Sequence, residues 1–68
     1  MKHYEVIKTE AFTSLNGKQC FAQVANYGVM CEDDMKLIVK GYKATYSDEY
    51  MTIYTRGNSK YRYEVFYC

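Results

Sequence analysis

Two short turn signals, Asn16-Gly17 and Gly57-Asn58, constrain this chain more than anything else in it. Asn-Gly suits a type I′ turn, whose two central residues both need positive φ, and Gly-Asn suits type II′, where only the first does. Strand-forming residues flank each signal: Tyr4 to Leu15 and Lys18 to Tyr27 around the first, Tyr50 to Thr55 and Lys60 to Tyr67 around the second. The pattern predicts two β-hairpins. In the first, a two-residue loop sets Leu15 opposite Lys18. Counting back, Ile7, Ala11 and Leu15 share a face with Cys20, Ala22 and Val24, while Phe12 opposes Phe21 on the other. Apolar groups on both faces imply either a hairpin covered on two sides or a bulge that rotates part of it.

The segment between the hairpins fits two periods. As a helix, Asp33 is the N-cap and Glu32, Asp33 and Asp34 sit at the positive end of the dipole. Met35, Ile38, Val39 and Tyr42 then share a face, and Gly41 provides the stop, with Tyr42 able to pack on Leu37. As a strand, Met35, Leu37 and Val39 alternate with Lys36 and Lys40, but Ile38 breaks the alternation. Cap, periodicity and stop agree only for the helix. The expected architecture is one small α+β domain over residues 1–68, with two antiparallel β-hairpins and one short helix between them (ββαββ). The alternative is an all-β five-stranded meander or small barrel, and residues 42–46 offer an extra strand in either case.

A chain of 68 residues buries only about 60% of the surface its unfolded form exposes, which leaves room for a single domain. At 49% hydrophobic and 25% charged, without proline, it is not a disordered tail or a collagen-like repeat. The net charge of +1 supplies no global field toward nucleic acid or membrane. Met1-Lys2-His3-Tyr4-Glu5 places an acid where a signal peptide needs its apolar core, and no apolar run approaches the roughly 18 residues of a membrane span. The expectation is a cytoplasmic protein without membrane attachment. Cys20, Cys31 and Cys68 are odd in number and irregularly spaced, so reduced thiols are expected, the first two as small buried apolar groups.

Catalytic chemistry finds little to use. The one histidine is His3, no serine lies in a nucleophile motif, and a chain this short hardly encloses a pocket of ~300 Å³. Metal binding would need paired ligands such as Cys-x-x-Cys, which are absent, and Glu32-Asp33-Asp34 lacks the alternating spacing of a calcium loop. No glycine-rich phosphate loop or other cofactor motif is present. A non-enzymatic protein is expected, with no metal and no cofactor.

What the chain does have is tyrosine, nine residues in all, seven of them between positions 42 and 67. Tyr42, Tyr46, Tyr50 and Tyr54 recur every four residues and share a face wherever the chain is extended without a bulge. A two-residue loop at Gly57-Asn58 pairs Tyr54 with Tyr61, Thr52 with Tyr63 and Tyr50 with Val65. Tyrosines 50, 54, 61, 63 and 67 then lie on one side, and Met51, Ile53, Arg62, Glu64 and Phe66 on the other. A three-residue loop instead sets Met51 and Ile53 beside Tyr61, Tyr63, Val65 and Tyr67, with Tyr50 and Tyr54 outward beside Arg62 and Glu64. Turn chemistry favours the first register and the separation of apolar from polar groups favours the second. Nine phenols exceed what so small a core can hide, and exposed tyrosine is enriched at protein interfaces.

The residues expected to bind a partner are therefore Tyr50, Tyr54, Arg56, Tyr61, Arg62 and Tyr63. The expected function is docking on another protein, as an inhibitor or adaptor. Small single domains of this type are common among phage and mobile-element proteins that block host machinery, anti-CRISPR proteins among them; size and type alone make that connection. The alternative is single-stranded nucleic acid, because Lys60-Tyr61-Arg62-Tyr63 interleaves basic and aromatic residues, although Glu64 interrupts the stretch. A third reading buries the tyrosine face in a homodimer.

Overall fold

Five strands and one helix follow each other as β1 (His3–Thr13), β2 (Gln19–Cys31), α1 (Glu32–Ile38), β3 (Lys43–Ser47), β4 (Met51–Thr55) and β5 (Tyr61–Tyr67). The computed structural model describes residues 2–68. All neighbouring strands are antiparallel, in the order β2-β1-β5-β4-β3, so β1 leaves its own hairpin to pair with the last strand. The order is thus ββαβββ, and the extra strand is β3. The helix of the first expectation and the five strands of its alternative are both present, and strand predominates.

The first turn differs from the expected one. Ser14 accepts from the Gly17 N–H at 2.9 Å, its own N–H donates to Lys18 at 2.8 Å, and only Gly17 has positive φ, at 84°. This is a three-residue loop, a turn closed by one left-handed glycine, in which Asn16 needs no positive φ and its Oδ1 accepts from the Ser14 hydroxyl and the Lys18 N–H. The added residue pairs Phe12 with Cys20 and Ala11 with Phe21, so Phe12 and Phe21 do not face each other. Two bulges follow, each giving β2 one residue more than β1. The second leaves Tyr27 unpaired beside Gly28, whose φ is 81°.

Helix α1 starts one residue after Cys31, which caps it through backbone geometry alone; Asp33 lies within the first turn. Its expected inner face holds. Met35 and Val39 are buried, with Ile38 and Tyr42 packed beside them, on a cluster formed by Tyr4, Val6, Tyr63 and Val65. Gly41, at φ 87°, reverses the chain after the helix. Leu37 stays exposed, and Tyr42 packs edge-on against Tyr63 instead.

The second hairpin pairs Tyr54 with Tyr63, Thr52 with Val65 and Met51 with Phe66, around the loop Arg56–Lys60. This is two residues away from the expected two-residue-loop register. A shift of two keeps every side chain on its face. Tyr54, Tyr63 and Val65 therefore share a side with Thr52, and Met51, Ile53, Arg62, Glu64 and Phe66 occupy the other. The side rich in tyrosine is the one the helix covers, so it supplies the core. In the β3–β4 turn, Asp48 accepts from the Tyr50 and Met51 N–H groups at 2.7 and 2.9 Å and from the Tyr46 hydroxyl at 2.8 Å. These bonds hold its carboxyl below the usual carboxylate range, the Tyr50 N–H first among them.

Candidate protein-binding site

Pairing of β5 with β1 on one side and β4 on the other gathers tyrosines and cations beyond the end of α1. Tyr63 is the floor, only 7% exposed. Tyr42 meets its ring edge-on at 4.9 Å, and Tyr27, freed by the β2 bulge, lies 6.3 Å away. Tyr61 continues the surface along β5. Lys8, which pairs with Tyr63 across β1 and β5, holds its Nζ 4.3 Å above the Tyr61 ring. Lys60 approaches the same ring at 5.4 Å while bound to Glu10 at 2.8 Å, and the Arg56 guanidinium lies 6.0 Å from the Tyr42 ring. Cation and ring contacts of this kind contribute about 0.5–1 kcal/mol each at exposed sites.

Burial, with the neighbouring phenols of Tyr27 and Tyr42, raises the Tyr63 hydroxyl above the ordinary tyrosine pKa, and burial likewise raises that of Tyr54. An acid whose folded pKa is raised contributes stability below its unfolded pKa and loses it as pH climbs through the folded value. Melting temperature should thus stay level near neutrality and fall above about pH 10. Tyr67 opposes this weakly, since hydrogen bonds to Ser47 and Thr52 lower its pKa. Thermal melts from about pH 8 to about pH 12 check the sign, and Tyr54→Phe should reduce the alkaline slope.

The six residues expected from the sequence fall into three places. Tyr54, Arg56, Tyr61 and Tyr63 come together here, with Tyr63 buried and Tyr54 half-buried against the core. Tyr50 is exposed at the other end of the hairpin, where its carbonyl accepts from the Tyr67 N–H. Arg62 projects from the opposite side of the sheet, stacked 3.7 Å from the Phe21 ring centroid and 3.1 Å from Glu64. Lys8, Tyr27 and Tyr42 complete the surface. Tyr42 belongs to the tyrosine series spaced by four, Lys8 depends on a long-range strand pairing that carries no local signal, and Tyr27 depends on a bulge whose local signal is Gly28 within the strand.

Two open depressions lie at the far end of the sheet around Lys2, about 460 Å³ beside Cys31, Glu32 and Asp33 and about 410 Å³ beside Tyr4, Tyr67 and Cys68. All three cysteines are unpaired, and Cys20 and Cys31 are half-buried where full burial was expected. Among the described residues no group of three or more His, Cys, Asp or Glu side chains could hold a metal ion, and no helix is long and apolar enough to cross a membrane. Comparison with protein-family models, with curated proteins and with solved structures yields no match.

Proposed function

We propose that this is a non-enzymatic domain that docks on another protein, as an inhibitor or adaptor, through the surface formed by Tyr27, Tyr42, Arg56 and Tyr61 with Lys8 and Lys60. The observation that carries the reading is the set of partly exposed tyrosine rings beside Tyr63, of which Tyr61 is flanked by Lys8 and Lys60 and Tyr42 by Arg56. Tyrosine and arginine provide large contact area at little entropic cost, and such residues dominate binding energy where they are desolvated. Lys8 and Arg56 also favour a partner that presents carboxylates.

Single-stranded nucleic acid is the second reading, favoured by three cations against the one acid Glu10 in this surface. Base stacking needs an open ring face, and Lys8 already occupies that of Tyr61. Glu10 in turn engages Lys60. Both features weigh toward protein.

The test compares capture from native host extract by wild type and by Tyr61→Ala and Arg56→Ala variants, followed by titration of the captured protein. Each substitution should weaken binding by about 1–2 kcal/mol, roughly 5- to 30-fold, with melting temperature nearly unchanged. Labelled single-stranded oligonucleotides run in parallel across a salt series. Tight oligonucleotide binding that weakens steeply with salt would replace the protein reading by the nucleic-acid one.

A further inference from the structure

The helix covers one side of the sheet, and among the described residues no element packs on the other. On that bare side Ile7, Met51, Ile53 and Phe66 are half-buried by their neighbours alone, around Arg62 and Glu64, with Val29 and Tyr46 exposed at the rims. We infer that this side is a self-association surface, on which a second copy packs sheet against sheet with its strands antiparallel to those of the first.

Three observations select a second copy as the occupant. The first is charge. Arg62 and Glu64 stand two residues apart on the central strand, 3.1 Å from each other. A twofold axis across the strands at the level of Tyr63 lays each Arg62 over the other copy's Glu64, so this central pair is complementary to itself in that orientation, while Glu5, nearer the edge of the same side, keeps its bond from Asn26. A twofold along β5 instead sets Arg62 on Arg62. The second is area. Roughly 40 strand residues, each covering ~3.3 by ~4.8 Å of sheet, give about 630 Å² per copy and about 1,300 Å² per pair, within the range of specific interfaces. The third is net charge, which at +1 per chain leaves little repulsion between copies. A sheet with apolar side chains on both sides gains stability when both are covered, and among the described residues the largest fully buried side chains of the covered side are two valines, Val6 and Val65.

Sedimentation equilibrium of the whole chain from about 1 µM to about 1 mM tests the inference. The mass should rise from 8.0 kDa toward twice that value. A mass that stays at 8.0 kDa throughout overturns it. Arg62→Glu and Glu64→Arg each place like charges against like across the twofold, so each alone should raise the dissociation constant by about 100-fold or more. Mixed in equal amounts, the two variants should dimerise again. Wild-type dimerisation by either variant alone, or no association in the mixture of folded variants, places the interface elsewhere and overturns the inference. Far-UV circular dichroism establishes that the variants fold. If a charge reversal unfolds the chain, Ile53→Lys replaces it, because Glu64 stands opposite that position and accommodates the new charge; folded and monomeric is the expected result, and wild-type dimerisation overturns the inference.

Discussion

Val6→Asp should leave the chain unfolded at room temperature. Val6 is wholly inaccessible to solvent and pairs with Val65, itself 1% exposed, across β1 and β5 at the centre of the sheet. A domain of this length has about 3–10 kcal/mol of stability, and an unpaired buried carboxylate costs several kcal/mol even after the site relaxes. Its partners in the core cluster are apolar side chains and tyrosines, and Lys8, the next residue along that face, holds its Nζ over the Tyr61 ring at the surface. Val6→Ala gives the graded version. Losing two methyl groups at ~0.8 kcal/mol each, with a small cavity term, amounts to about 2 kcal/mol and a fall in melting temperature of about 8–16 °C. Leu15→Asp, at the fully exposed tip of the first turn, should move the melting temperature little. Cooperative wild-type melting of Val6→Asp would mean that the helix-bearing side of the sheet is not the core.

The amino-acid sequence made some of this plain and hid the rest for identifiable reasons. Gly17 and Gly57 marked both hairpins, and Met35, Ile38, Val39 and Tyr42 marked the inner face of α1, because turn chemistry and helical period are local properties. The N-cap expectation fell on Asp33 because its side chain is a good cap, whereas the chain starts the helix at Glu32 with Cys31 as a cap that makes no side-chain bond. Registers were harder. One extra loop residue at Ser14–Lys18 is enough to separate Phe12 from Phe21, and the sequence Asn-Gly fits both loop lengths. In the second hairpin the division of side chains given by the two-residue loop survived an error of two residues, since strand periodicity is itself two, whereas the three-residue loop is one residue off and sets Tyr50 and Tyr54 on the wrong side, beside Arg62 and Glu64. Which side was solvent did not follow from that division. The helix settles on the side of Tyr63 because Tyr4 and Val6 of β1 extend that side into an apolar surface, and the pairing of β1 with β5 spans nearly the whole chain. The same pairing brings Lys8 to Tyr61, which is why the binding surface shares only part of its membership with the residues expected from the tyrosine pattern.

Tyr63→Ala should cost both stability and binding, while Tyr63→Phe should spare most of each. The ring of Tyr63 is buried in the same core cluster as Val39, beside its cross-strand partner Tyr54, and meets Tyr42 and Tyr27. Truncating a buried aromatic costs about 3–5 kcal/mol, comparable to the stability of the whole domain. At temperatures where the Ala variant is still folded, Tyr42 and Tyr27 lose the ring that fixes them, and the rigid presentation of the surface goes with it. Phenylalanine retains the ring, its burial and both aromatic contacts, so any loss comes from the hydroxyl and stays near 1 kcal/mol. Thermal melts and titration of the captured partner separate these effects. Tyr61→Ala should weaken binding at nearly constant melting temperature, Tyr63→Ala should lower both, and Tyr63→Phe should lower neither by more than that small amount. If Tyr63→Ala instead melts like wild type yet abolishes binding, its ring meets the partner directly and the floor of the site is its contact surface.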